Sequence, residues 1–383
     1  KVEKLYRYFH AHPELSGKEI QTAARMAKEL KALGIKVTEK FGRTGVVGVF
    51  ENGKGPTLWL RADMDGLPVQ EESGKDYSSQ NKGVMHACGH DTHIAAMIGY
   101  AEALIELKKQ WQGTLVFVVQ PAEEIGSGAE WMIKDGLYSK FPKPDYVLGL
   151  HVTGKHDSGK ISFTKGYALA AVDSIDIEIK GLGGHGAAPS IAIDPIVLAS
   201  KLIVNSQTLV SRNIDPREPV VLTFGSIHGG TKHNIIPNNV HLQGTLRTYS
   251  DEVRKKVKTG LKRMAESLAQ AEGAPKPVIR FSEPLPATYN NIELTNQMIP
   301  IYEQVVGKKN VIEEKGIMGA EDFALYSRNK KYPTTFFFIG GAPKDKSNFG
   351  SNHNSKFAPE YKKVLPVAVE TMTRAVLKLA PKE

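Results

Sequence analysis

Residues 85–93 read MHACGHDTH, which places three histidines, an aspartate and the chain's single cysteine, Cys88, within nine positions. Thiolate, imidazole and carboxylate are the groups that hold transition metals in proteins. More of them follow other apolar runs. Asp63 and Asp65 lie in RADMDGLP after TLWL, and Glu123 and Glu124 lie in PAEE after TLVFVVQ. His151 follows YVLGL, and His353 lies in SNHNSKF. Taken singly, each has an ordinary reading. Adjacent glutamates usually form a solvated loop, a histidine at a strand end usually makes a structural hydrogen bond, and a lone cysteine is usually a small buried hydrophobe. No HExxH or paired CxxC pattern is present to select a metal site by itself. The case for chemistry rests on whether the fold gathers these groups at one place.

The elements that would gather them are legible as periodicities. Residues 2–35 read as two helices broken at Pro13, the second opened by a capping box of Ser16 and Glu19. Short apolar runs at 45–52, 56–63, 114–120 and 145–151 read as strands, with helical patterns over about 91–109 and 126–135 between them. Strands alternating with helices predict an α/β layer with a largely parallel sheet. In such sheets ligands bind beyond the carboxyl ends of the strands. Asp63, Asp65, Glu123, Glu124 and His151 all fall there. Their coincidence at one sheet edge predicts a metal site by ligand type.

From about Ser174 the texture changes. SIDIEIK alternates apolar and polar residues, as a strand with one solvated face does. A helix follows over 194–210, with Asp194 as its cap and Pro195 at its first position. Then come the strands EPVVLTFGSIHGG and HLQGTLRTYS, a helix capped by Ser250 and running to about Ala271, and the strand KPVIRFSE. The order β-α-β-β-α-β is the split ferredoxin-like pattern. It predicts an inserted domain over 174–285, with 1–173 and 286–383 forming the α/β domain around it. The insert contains GLGGHG (181–186), which matches GxGxxG formally. The preceding strand is half-solvated, the next helix starts only near Asp194, and no acidic residue follows at the ribose spacing, so a dinucleotide site is rejected. The glycines instead suggest a tight turn that presents His185.

The bulk numbers set outer limits. At 383 residues the chain is long enough for two domains, and 41% hydrophobic with 24% charged residues is ordinary for a globular protein. No apolar run is long enough to predict a membrane span. Net charge is +9, but the densest basic stretch, VRKKVKTGLKRM (253–264), has helical apolar spacing and no interleaved aromatics. It reads as a solvated helix face, so no nucleic-acid partner is expected. A single cysteine gives no sign of an oxidising compartment. Cytoplasmic placement is the expectation, with a periplasmic or secreted form left open because the chain starts at Lys1.

FHAHPELSGKE (9–19), RADMDGLP (61–68), MHACGHDTHIA (85–95), QPAEE (120–124), GLH (149–151), GLGGHGAAP (181–189), GTLRT (244–248) and GAEDF (319–323) occur in that order. Together they resemble the M20 metallopeptidase family in its amidohydrolase branch, which includes N-acyl-amino-acid deacylases, hippurate hydrolases and auxin-conjugate hydrolases. The resemblance implies a dinuclear-metal catalytic domain with an inserted ferredoxin-like lid that dimerises, giving a homodimer or tetramer. It implies two divalent ions (zinc, manganese, cobalt or nickel) held by Cys88, His90, Glu124, His151 and His353, with Cys88 bridging both. A metal would keep the Cys88 thiol deprotonated, and Cys88 and His90, two apart on a bend, can turn to one centre. Asp65 would support a ligating histidine, and Asp91 would cap the following helix or orient a ligand imidazole.

The same resemblance implies the chemistry. A bound metal lowers the pKa of its water from about 15.7 to about 7. Glu123 would take that proton as general base and deliver it to the leaving amine. His185, from the lid of the same chain or of a partner subunit, would stabilise the oxyanion. Asn234 and Arg247 would grip the substrate carboxylate. The implied activity is hydrolysis of N-acyl-L-amino acids. The alternatives are a carboxypeptidase or dipeptidase of the same fold, and a non-catalytic metal- or ligand-binding protein. The chain departs from the family pattern at Ser190, at Ala320, in HNS (353–355) and in GLHVTG (149–154). These changes bear on substrate identity.

Overall fold

The computed structural model describes residues 1–327 and 331–382. The chain divides into two compact units. The first comprises Lys1–Ala168, Tyr289–Lys315 and Asp322–Glu383, and the second comprises Leu169–Thr288 and Gly316–Glu321. The second unit starts before the expected 174 and takes in 316–321, because Ala170 N donates to the Gly319 carbonyl at 2.8 Å and Leu169 bridges Ile317.

The first unit is built on an eight-stranded mixed sheet. Strands Gly113–Gln120, Thr57–Asp63, Tyr146–Asp157 and Thr334–Ala342 form a parallel centre. Gly45–Asn52 and Lys36–Phe41 add antiparallel at one edge, and Ile161–Phe163 joins antiparallel at the other. The central strands are buried along nearly their whole length, as strands covered on both faces must be. Leu58, Leu60 and Ala62 join the core of helices Val2–Ala11, Ile20–Ala32, His90–Glu106, Ile292–Val306 and Tyr361–Leu379. Trp59 points the other way and meets Tyr138 and Tyr326 at ring distances of 4.7 and 6.3 Å. Every second residue thus serves an opposite layer.

The second unit carries its own core around a four-stranded antiparallel sheet. Val278–Leu285, Ala171–Lys180, Asn239–Thr248 and Val220–His228 lie in that spatial order, and helices Pro195–Asn213 and Asp251–Ala271 pack on it. Ile175, Ile177 and Ile179 point inward and the residues between them outward, as the sequence alternation requires. The Asp194 side chain accepts from the amides of Ile196 and Val197, and Ser250 accepts from Val253 N. Among the described residues no helix is long and apolar enough to cross a membrane.

Two local expectations need correction. Ser16 and Glu19 make no capping box. Ser16 Oγ donates to Asp65 Oδ2 at 2.7 Å, and Glu19 accepts from Gly17 N, Thr44 Oγ1 and Ala122 N instead. A buried acceptor, Asp65, draws the Ser16 hydroxyl, and donors on Thr44 and Ala122 draw the Glu19 carboxylate away from the helix end. The strand expected over 145–151 runs on to Asp157, because its second half pairs with Thr334–Ala342 rather than with Thr57–Asp63.

Candidate metal centre

Three loops and one strand converge beyond the parallel centre of the first unit. Gly89 has φ +89° and separates Cys88 from His90, the first residue of helix His90–Glu106. A side chain at 89 would place its Cβ 2.3 Å from Val152 Cγ1, so the bend packs directly on the strand carrying His151. The loop after Gln120 passes through Ala122 at φ +51° and presents Glu123 and Glu124. Ala122 N donates to Glu19 Oε1 at 2.9 Å, which holds that loop from below. His353 also adopts a positive φ, +69°, and its amide donates to the Ala87 carbonyl at 2.7 Å.

This brings together the five sequence-expected ligands and the expected base. Cys88 Sγ lies 3.4 Å from His151 Nε2 and 3.3 Å from His353 Nε2. His353 Nε2 lies 3.4 Å from Glu124 Oε2. His90 Nε2 lies 3.7 Å from Glu124 Oε1 and 3.8 Å from Glu123 Oε2. Cys88, Glu124 and His353 form one group of mutually close ligand atoms, and His90, Glu123 and Glu124 form another, with Glu124 common to both.

The histidine tautomers follow from the hydrogen bonds at the other ring nitrogens. His90 Nδ1 donates to the Asp65 carbonyl at 2.9 Å, with Asp65 Oδ1 at 3.2 Å, which leaves the Nε2 lone pair facing the carboxylates. His151 Nδ1 donates to the Val152 carbonyl at 2.7 Å and turns Nε2 to the cysteine. His93 differs. Its Nδ1 lies 2.5 Å from Asp63 Oδ1, and its Nε2 accepts from Val152 N at 2.9 Å. Asp63, His90, His93 and His151 are close enough to suggest a further ion site, but His93 has no lone pair left to offer one. His93 is a structural brace, and Asp63 is neutralised by Arg61 Nη1 at 2.6 Å.

Asp65 stands where the sequence reading put it, behind His90. Its Oδ2 also accepts from Glu124 N at 3.1 Å, so one carboxylate orients two expected ligands. Asp91 is not the helix's N-cap, though its Oδ1 accepts from the first-turn amide of Thr92 at 2.9 Å, and it touches no expected ligand imidazole. It lies in the helix's first turn and pairs with His10, because a buried carboxylate requires a nearer positive partner. His10 has no role in the motif reading, and its buried pairing with Asp91 lies behind the helix that begins at His90. Leu5, Tyr6, Phe9 and His10 form the buried stripe of their helix, and a histidine on such a stripe must find partners there.

The electrostatics favour a cation. Burial pushes the Cys88 thiol well above its ordinary range, and burial raises the Glu124 carboxyl too. Burial opposes ionisation of Asp65 as well, yet hydrogen bonds from His90 and Ser16 hold it below the usual range. Two buried atoms, His90 Nε2 and Glu124 Oε1, face each other without a hydrogen-bond partner among the described residues. Orphaned buried acceptors in a sulfur, nitrogen and oxygen donor set suit a divalent transition metal.

His185, Asn234 and Arg247 belong to the second unit. His185 pairs with Ile235 in a short two-stranded ladder, and Gly186 N donates to the Asn234 carbonyl at 2.9 Å, so His185 and Asn234 are neighbours. Ala187 N donates to His185 Nδ1 at 3.0 Å, which leaves the exposed Nε2 carrying the ring proton. Arg247 lies apart from them on the four-stranded sheet, where its Nε donates to Thr245 Oγ1 at 3.1 Å.

Residues 59–378 match the profile of Peptidase family M20/M25/M40. Thermostable carboxypeptidase 1 of Saccharolobus solfataricus is 39% identical over 360 residues, covering 93% of this chain and 90% of its own. N-acetyl-L-cysteine deacetylase of Bacillus subtilis is 39% identical over 335 residues, covering 87% of this chain and 79% of its own. The YXEP protein of Bacillus subtilis, a dinuclear metal binding peptidase from the M20 family, superposes with a TM-score of 0.84 at 29% identity, covering 98% of this chain and 96% of that one. With a metal-suited donor set at the sheet edge and a family match across most of its length, the chain belongs to peptidase family M20 and is a metal-dependent hydrolase of amide bonds.

Proposed function

We propose that the protein hydrolyses N-acyl-L-amino acids to a carboxylate and a free amino acid. Cys88, His90, Glu124, His151 and His353 would hold two divalent ions, zinc, manganese, cobalt or nickel, and Glu123 would be the general base. The observation that carries this reading is the unpartnered His90 Nε2 facing Glu124 Oε1 at 3.7 Å, beside a cysteine flanked by two histidines. The adjacent glutamates are also placed differently. Both approach His90, but Glu124 alone lies in the group with Cys88 and His353.

Bound divalent ions supply acidity to a water molecule and polarise an amide carbonyl. Glu123 takes the proton from the attacking water and passes it to the departing amine nitrogen. Asp65 holds the His90 ring and the Glu124 amide while this happens. The part of oxyanion donor falls to His185 Nε2, from this chain or from a partner copy. Asn234 and Arg247 carry side chains suited to a substrate carboxylate, the guanidinium fork above all.

The acyl-amino-acid substrate is supported by the relative named N-acetyl-L-cysteine deacetylase. A carboxypeptidase reading is supported by the relative named Thermostable carboxypeptidase 1, at equal identity and longer coverage. Metal-loaded protein assayed on N-acetyl and N-benzoyl amino acids beside unblocked dipeptides and C-terminal peptide substrates separates the two. Faster turnover of blocked amino acids is expected. Exclusive cleavage of unblocked peptides would replace the first reading with the second.

A further inference from the structure

We propose that Asn352 is a positioning residue for the metal centre, its carboxamide fastening the three segments that carry Cys88, His151 and His353. Nδ2 donates to the Cys88 carbonyl at 3.1 Å and to the Val152 carbonyl at 3.0 Å, while Oδ1 accepts from Gly154 N at 2.9 Å. Two carbonyls on one side and an N–H on the other fix which end of the amide is which. Both amide hydrogens are thereby used on segments remote in sequence from Asn352 and from one another. The inference rests on the reading of Cys88, His151 and His353 as ligands.

Two of the bonds bear on proposed ligands. The first holds the backbone of Cys88 itself. The second goes to the carbonyl that also accepts from His151 Nδ1 at 2.7 Å, so it fixes the group that sets the His151 tautomer. The third secures the strand just beyond. His353 follows directly in the chain, at φ +69° and with a side chain 57% exposed, so packing does little to hold its ring. Its place is set by its own amide bond to Ala87 and by the anchored residue before it. The close docking of this loop shows at Gly154, where a Cβ would stand 2.9 Å from Ser351 Cα. No other described side chain is hydrogen-bonded to all of the Cys88, Val152 and Gly154 backbones. Asp would fit the same volume but would set a carboxylate oxygen against two carbonyl oxygens, whereas Ala would remove all three bonds.

The test compares wild type, Asn352→Ala, Asn352→Asp and Cys88→Ala. Each full-length protein is loaded with cobalt(II) and titrated with a chelator. Cobalt per chain and the near-ultraviolet thiolate-to-cobalt absorption are followed, and the metal-free proteins are melted alongside. Both Asn352 variants are expected to release cobalt at about 10–100-fold lower chelator competition, the range for partners that orient a ligand. Their thiolate band should weaken while the metal-free proteins melt close to wild type. Wild-type cobalt affinity and band in both variants would overturn the inference, and so would a lowered metal-free melt with unchanged affinity, which would mark a role in folding only. Cys88→Ala separates the two levels. If it retains both ions with wild-type affinity, the metal-centre reading itself fails. If it loses metal while the Asn352 variants do not, only the inference about Asn352 fails.

Discussion

His10 Nδ1 donates to Asp91 Oδ2 at 2.6 Å, and neither side chain has any exposed surface. His10 Nε2 meets Glu71 Oε1 at 3.0 Å on the other side. Burial alone would lower the imidazole pKa, but hydrogen bonds to the two carboxylates outweigh it and raise the group from 6.5 to about 9. Glu71 moves the opposite way, down to about 2, because the hydrogen bond and charge of His10 outweigh its burial.

The sign of the resulting pH dependence follows by linkage. The native state holds the His10 proton more tightly, so that contribution is complete below pH 6.5 and disappears as pH rises through about 9. The Glu71 contribution is present above 4.5 and disappears as pH falls toward about 2. The pairing therefore stabilises most between pH 4.5 and 6.5. His10→Ala leaves two buried carboxylates without their cation and should cost about 3–5 kcal/mol in that window. Denaturant midpoints across pH 4–10 should show the gap between wild type and variant narrowing above neutrality. A gap that widens from pH 6.5 to 9 would contradict the assignment.

Gly89→Ala should damage the proposed centre without replacing a proposed ligand. The residue would carry a side chain at φ +89°, a conformation that costs an L-residue about 1–2 kcal/mol. Its Cβ would also need Val152 Cγ1 to withdraw from 2.3 Å. Relief of either strain rotates Cys88 and His90 relative to one another. Zinc content after dialysis should fall, and the melting midpoint with it. A variant that keeps full metal content and a wild-type melt would show that the bend tolerates a side chain.

How far the sequence foretold this arrangement differs from residue to residue. Cys88, His90, Glu123, Glu124 and His151 were legible because each follows or begins an element whose period is plain, and a parallel sheet turns such positions toward one edge. The place of Asp65 at that edge was legible for the same reason, and its supporting role came from the family resemblance. Lys36–Phe41 was missed because it is a largely exposed edge strand, with no inward-facing alternation to betray it. Asp91 was misplaced because an acid in the first turn suits a cap, and its true partner lies 81 residues away. Ser16 and Glu19 matched a local capping pattern, yet both are committed to partners at Asp65 and Ala122 that no local rule contains. Local patterns found the elements. Long-range pairings of buried polar groups decided what each polar side chain does.

Asp65→Asn tests the support behind His90. The carboxylate accepts from Ser16 Oγ and Glu124 N through Oδ2, so an asparagine at 65 would turn its oxygen there and aim its NH2 at His90 Nδ1. Two donors would then face each other. The His90 ring keeps one acceptor, the Asp65 carbonyl at 2.9 Å, so the tautomer is weakened rather than lost. Metal affinity in a chelator competition should fall by about tenfold, the low end for such a partner. Unchanged affinity would assign the orientation of His90 to the backbone carbonyl alone.

Glu123→Gln distinguishes the two neighbouring glutamates. Glutamine keeps the size and the neutral hydrogen-bonding surface of the side chain but cannot hold a proton from water. As general base, Glu123 should therefore lose about 10²–10⁴-fold in kcat on its best substrate, with KM and metal content near wild type. Glu124→Gln should do the reverse at the level of binding. Its Oε1 lies 3.7 Å from His90 Nε2 and its Oε2 lies 3.4 Å from His353 Nε2, so removing its charge weakens the donor set between both rings. Metal per chain, measured by elemental analysis after dialysis, should drop in that variant before turnover is considered. If Glu123→Gln turns over at the wild-type rate, or if Glu124→Gln keeps its metal while Glu123→Gln loses it, the roles assigned to the pair must be exchanged or abandoned.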